Sequence, residues 1–131
     1  MRSLLAAVSV CLVATAATAQ SSRHRVELDC RPTGASQVFL CVVTVADAAG
    51  KPVAGVDLTL SADMPSMPMA HNVKPVKAQP VTGKPGTYES RLELEMTGEW
   101  AVKLQFKAPR PDVMVRKLDF QKDKVTPAAT R

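Results

Sequence analysis

Apolar and polar residues alternate over most of the chain between residues 26 and 120. A period of two is typical of β-strands with one buried face, because successive side chains point to opposite sides of a sheet. The clearest case runs from Tyr88 to Met96, with Leu92 and Leu94 on the same predicted inner face, and Trp100 begins another such stripe. The pattern predicts about seven strands, at residues 26–31, 37–45, 56–60, 73–79, 88–96, 100–106 and 113–120.

Turn-forming residues separate these predicted strands, and no stretch beyond the predicted leader has a convincing helical period. Short strands at this spacing favour one all-β domain over residues 26–120, an immunoglobulin-like antiparallel β-sandwich. Pro75 restricts its strand to an edge of a sheet, because proline cannot donate to the hydrogen-bond ladder. Residues 20–25 and the polar residues 121–131 are predicted to be flexible segments.

The first nineteen residues have the features of an export signal. Arg2 gives a positive start, residues 4–13 are apolar, and Ala17-Thr18-Ala19 forms a small-residue cleavage site. We expect cleavage after Ala19 and an exported, periplasmic protein with no stable membrane insertion. An uncleaved membrane anchor is the alternative, although the apolar stretch is short for one.

Cys30 and Cys41 remain when Cys11 is removed with the leader. They fall on the predicted inner faces of two consecutive strands, and turn residues at 32–36 would join these strands as a hairpin with the sulfurs opposite each other. In an oxidising compartment a disulfide is the first expectation. Reduced thiolates that bind copper, or unpaired buried thiols, are the alternatives.

Charge and composition argue against two broad classes of function. The formal charge is +5, the basic residues are scattered, and aromatic residues make up 4% of the sequence. Nucleic-acid binding calls for a basic stripe or an aromatic stacking platform, and neither pattern is present. The two histidines form no catalytic grouping with Ser, Cys or Asp, and Glu89, Glu93 and Glu95 fit a solvated strand face. We therefore expect neither nucleic-acid binding nor enzymatic activity, and we expect a monomer.

A methionine- and proline-rich segment, residues 64–71, interrupts the strand pattern. Its candidate metal ligands are Met64, Met67, Met69 and His71. Thioether and imidazole donors without a carboxylate suit a soft ion, and copper(I) above all. The last three residues are spaced i, i+2 and i+4, which puts them on one side of an extended backbone, and Met64 would be a fourth ligand or a lid. Zinc is a weaker alternative, because the segment offers only one ligand that zinc prefers.

These residues also have interpretations that involve no metal. Methionines fill gaps in cores, and a methionine-rich surface is suited to docking a protein partner. Met96 and Met114 lie on predicted strands and are expected to be core or edge residues, and Trp100 is expected to be the buried core tryptophan. For the loop, the concentration of three methionines and one histidine around two prolines favours metal binding over packing or docking alone.

Two short motifs resemble the core signature of FixH-like and YtkA-like domains: Pro-Gly-Thr-Tyr at residues 85–88 and Gly-Glu-Trp-Ala-Val at residues 98–102. Residues 64–71 are similar to the proline- and methionine-bearing loop that precedes them in that group. The resemblance covers roughly residues 26–120 and implies an immunoglobulin-like sandwich with a role in copper traffic to oxidases or out through efflux systems. Membrane-anchored members carry a transmembrane helix that this chain lacks once its leader is removed.

The sequence therefore predicts a periplasmic copper(I)-binding protein, a metallochaperone or copper-homeostasis carrier, with Met67, Met69 and His71 as ligands and Met64 as an auxiliary. Its expected partner is another exported copper-handling protein, or an efflux or oxidase component. The alternative is a metal-free interaction module that docks a membrane transporter or oxidase subunit through the same methionine-rich segment.

Overall fold

The computed structural model describes residues 24–129, and its strands follow the alternation of the sequence. Buried residues alternate with partly buried or exposed ones along the second, third and sixth strands, as expected where one face of a sheet meets the core. The strands in the described residues are β1 (Arg25–Pro32), β2 (Val38–Ala46), β3 (Asp57–Asp63), β4 (Asn72–Lys77), β5 (Gln79–Pro80), β6 (Thr87–Glu93), β7 (Gly98–Ala108), β8 (Asp112–Phe120) and β9 (Val125–Pro127).

The strands form two antiparallel sheets that make up a sandwich. One sheet has four strands in the order β1-β2-β6-β5, and the other has five in the order β4-β3-β7-β8-β9. The proline-containing strand β4 lies at an edge, as predicted, and the chain then crosses to the other sheet at β5. The predicted fold class, an all-β antiparallel sandwich, is confirmed.

One hydrophobic core joins the two sheets. Phe39 of the four-stranded sheet packs edge-to-face on Phe120 of the five-stranded sheet, with ring centroids 4.9 Å apart. The Tyr88 hydroxyl donates a hydrogen bond to the Val53 carbonyl at 2.9 Å and accepts one from the Val56 amide at 3.1 Å, which ties β6 to the chain before β3. The largest fully buried side chains include Trp100, Phe120, Leu58, Leu60, Leu92 and Leu104.

Seven of the strands correspond to predicted ones, and the differences have local causes. β5 and β9 are two and three residues long, too short for a period of two to be visible. β9 falls within the C-terminal segment that was expected to be flexible, and it pairs with the end of β8. β6 ends at Glu93 and residues 94–97, here named the β6–β7 turn, leave the sheet, so the prediction of a strand that continues to Met96 is wrong.

A disulfide joins Cys30 and Cys41, as predicted. The two residues are directly paired in the register of β1 and β2, and both are buried. The predicted export signal and its cleavage site lie outside the described residues. Between residues 24 and 129 no helix is long and apolar enough to cross a membrane.

Two loops lie together at one end of the sandwich. The first is residues 64–71, here named the methionine loop, which connects β3 to β4; the second is the β6–β7 turn. Asp63, the last residue of β3, pairs with Ala101, and Gly98 is the first residue of β7. The methionine loop therefore begins beside the start of β7, where the β6–β7 turn ends.

Candidate metal centre

Backbone hydrogen bonds close the methionine loop into consecutive turns. The Met64 amide donates to the His71 carbonyl at 3.2 Å, which joins the two ends of the loop. Between them, the Met67 amide donates to the Met64 carbonyl at 2.9 Å, and the Ala70 amide donates to the Met67 carbonyl at 3.1 Å. The expectation of an extended backbone is therefore wrong, and the i, i+2, i+4 spacing does not by itself put three ligands on one side.

The four predicted ligands differ strongly in exposure. Met69 is 93% exposed, Met67 is 37% exposed, and His71 is partly exposed. Met64 is only 4% exposed and belongs to the hydrophobic core, where its Cε lies 3.1 Å from the position that a Cβ on Gly98 would take. The loop thus presents two thioether side chains and one imidazole at the surface, while the side chain of Met64 packs inside.

Glu95 of the β6–β7 turn contacts the only histidine of the methionine loop. His71 Nδ1 is hydrogen-bonded to Glu95 Oε2, although 24 residues separate them along the chain. An ionised carboxylate only accepts hydrogen bonds, so the imidazole donates through Nδ1–H, and Nε2 is the ring nitrogen outside this contact. Sequence reasoning placed Glu95 on a solvated strand face and missed this contact, because no local pattern links residues on two different loops.

Met96 follows Glu95 in the β6–β7 turn and is 37% exposed, the same fraction as Met67. The indole Nε1–H of the fully buried Trp100 donates to the Met96 carbonyl at 3.1 Å, which anchors the turn to the core. The prediction that Trp100 is a core residue is confirmed, and so is the prediction that Met114 packs at the core from a strand. Met96 is neither on a strand nor buried, contrary to its predicted place.

The side-chain donors on these two loops are thioethers, one imidazole, one carboxylate and the hydroxyls of Ser66 and Thr97. Over residues 24–129, no three His, Cys, Asp or Glu side chains are grouped so that they could hold a metal ion. Zinc and calcium sites are built from such groupings, whereas soft thioether sulfur with imidazole suits copper(I). The donor set at this end of the sandwich therefore fits a soft ion.

Comparison with protein families gives a match. The sequence model of a family described as YtkA-like matches residues 18–105, which is more than half of the chain. The matched span includes the methionine loop, the β6–β7 turn and most of β7. No curated protein matches the chain.

Proposed function

The chain belongs to the YtkA-like family, and we propose that it is an exported, periplasmic protein that binds copper(I) as cargo. The proposed ligands are Met67, Met69 and His71, at the surface of the methionine loop. The protein acts as a metallochaperone or copper-homeostasis carrier and catalyses no reaction.

The observation that carries this proposal is the exposure of thioethers beside an imidazole. Full burial of a methionine side chain stabilises a fold by roughly 1.5–3 kcal/mol. Met69, at 93% exposure, contributes almost none of that, and Met67 contributes only part of it. Core packing therefore does not account for two methionines in this loop, whereas copper(I) binding uses an exposed thioether directly.

The contact between His71 and Glu95 supports the proposal from a second direction. Histidines that bind metals commonly donate their other ring N–H to a carboxylate, which fixes the tautomer and the orientation of the ring. Here Nδ1 is held by Glu95, so Nε2 is the nitrogen that would bind the ion. Glu95 thus acts as a positioning residue for the imidazole and does not itself bind the metal.

The place of the loop supports a role in transfer. Copper(I) passes between proteins by exchange of ligands, so the donor side chains must be accessible to a partner. Loops at the end of a rigid sandwich provide that access, and the disulfide and the buried core keep the scaffold fixed. The proposed partner is another exported copper-handling protein, or an efflux or oxidase component.

An anaerobic copper(I) titration against a chromogenic chelator tests the proposal. The purified protein is compared with a triple variant, Met67→Leu, Met69→Leu and His71→Gln, in which the side chains keep similar size but lose their ligand atoms. Met114→Leu is the matched control, because it removes one thioether from β8, outside the two loops. We expect stoichiometric binding by the wild type and by the control, and loss of binding in the triple variant.

Two results would refute the proposal. If the wild-type protein does not compete with the chelator, its copper(I) affinity is too low for a carrier. If the triple variant binds as the wild type does, the methionine loop is not the site. In either case an interaction module that docks a transporter or oxidase subunit through its exposed methionines becomes the better hypothesis.

A further inference from the structure

The exposed large apolar side chains of the described residues fall into two groups. The three valines, Val76, Val113 and Val115, lie on strands. The three methionines are Met67, Met69 and Met96, and all of them lie in the two loops at one end of the sandwich. Exposed thioethers are thus concentrated at this end, and one of them comes from the β6–β7 turn.

The β6–β7 turn is held against the methionine loop. Glu95 contacts His71, and Met96 is the next residue in the chain. The Trp100 indole fixes the backbone of Met96 through its carbonyl at 3.1 Å, so Met96 is anchored one residue away from the carboxylate that contacts the imidazole. The turn therefore brings a third exposed thioether to the edge of the proposed site.

Met64 is poorly placed to be that third sulfur ligand. Its side chain is part of the core, and a Cβ on Gly98 would approach its methyl group to 3.1 Å. To bind an ion at the surface, the side chain would have to leave the core and open a void, which closely packed interiors resist. Its amide already joins the two ends of the loop, and its carbonyl accepts the hydrogen bond of the first turn.

We infer that Met96 is a copper(I) ligand that joins Met67, Met69 and His71, and that Met64 is a structural residue. This inference rests on the proposed function and assigns one further residue to the same site. Three thioethers and one imidazole give copper(I) four neutral donors, taken from two loops. The β6–β7 turn links the two sheets, and the methionine loop links β3 to β4 within one sheet. A bound ion would therefore bridge these two loops.

The test compares three single substitutions, Met96→Leu, Met64→Leu and Met114→Leu, in the otherwise intact protein. Copper(I) affinity is measured by chelator competition, and the number of sulfur ligands by X-ray absorption at the copper edge. Far-UV circular dichroism and thermal unfolding verify that each variant is folded. Leucine preserves apolar volume, which limits the structural effect of each change.

For Met96→Leu we expect the affinity to fall by roughly tenfold or more, equivalent to about 1.4 kcal/mol or more, with one sulfur fewer at the metal. For Met64→Leu and Met114→Leu we expect wild-type affinity and an unchanged sulfur count. Wild-type affinity in Met96→Leu would overturn this inference alone, as would a lost sulfur in folded Met64→Leu. Failure of the wild-type protein to bind copper(I) would overturn the proposed function and this inference with it.

Discussion

Replacement of Gly86 by alanine tests whether the fold requires glycine at this position of the Pro-Gly-Thr-Tyr motif. Gly86 is buried with φ of +73°, and its carbonyl accepts a hydrogen bond from the Val45 amide at 2.8 Å. A Cβ at this position would lie 2.7 Å from the Val45 carbonyl oxygen and 2.9 Å from Pro52 Cβ. Gly83, in the same connection, has φ of +76° and no atom within 4 Å of its Cβ position, so Gly83→Ala is a matched control.

The difference between the two variants isolates the steric overlap. Both variants place an L-residue in a left-handed conformation, which destabilises the folded state by roughly 1–2 kcal/mol. Only Gly86→Ala also pushes against the Val45 carbonyl, which accepts a further hydrogen bond from the Val53 amide at 3.0 Å. Overpacking costs about 1–3 kcal/mol and a lost hydrogen bond about 1 kcal/mol. We therefore expect Gly86→Ala to destabilise the protein by about 2–4 kcal/mol more than Gly83→Ala.

Urea denaturation followed by far-UV circular dichroism measures this difference, provided that both variants keep the wild-type m value. In thermal unfolding, Gly86→Ala should melt at least about 8 °C below Gly83→Ala, since 1 kcal/mol shifts the Tm of a domain of slightly more than 100 residues by roughly 4 °C. Equal stability of the two variants would refute the reasoning, because the conformational cost alone would then explain both.

Other expected effects concern the core, the disulfide and the imidazole. In urea denaturation, Met64→Ala should lower the free energy of unfolding by about 2–5 kcal/mol, whereas Met69→Ala should change it by no more than about 0.5 kcal/mol. Similar losses in the two variants would contradict the different burial of the two side chains. The double variant Cys30→Ser and Cys41→Ser should lose about 3 kcal/mol, the chain-entropy value for a loop of this length; a loss below about 1 kcal/mol in the same assay would refute that account. Glu95→Gln should leave stability unchanged and weaken copper(I) binding by roughly 10–100-fold in chelator competition. Unchanged affinity would show that the carboxylate does not position the imidazole.

Much of the fold follows from side-chain periodicity, and the exceptions are instructive. The alternation from Tyr88 onward continues through Leu94, which is buried, and so it points to a longer strand than exists. The Leu94 amide donates to the Gln37 carbonyl at 2.9 Å, which continues the register of the Val38–Glu93 pair by one residue, but Gln37 has φ of +64° and β2 begins only at Val38. Burial therefore persists for one residue beyond β6, and the hydrophobic pattern of β6 does not show that its partner strand has already ended.

The candidate site was predicted by residue type but not by geometry. Soft ligands concentrated in one segment indicate the loop, yet sequence does not distinguish the methionine that enters the core, Met64, from those that remain outside. Nor does it place Glu95 and Met96 beside the loop, because that neighbourhood depends on which strands pair. Long-range pairing is set by the packing of both sheets together, which no short segment encodes.

The hydrogen bond between Trp100 and the Met96 carbonyl gives the protein an internal optical reporter. Trp100 is the only tryptophan in the chain, and its indole is fully buried with Nε1 at 3.1 Å from that carbonyl. Its fluorescence therefore comes from a single environment that includes the backbone of the β6–β7 turn. A movement of the turn changes the emission while the protein stays folded, and unfolding changes it further by bringing the indole into water. One unlabelled chromophore thus distinguishes a local rearrangement at this end of the sandwich from loss of the fold.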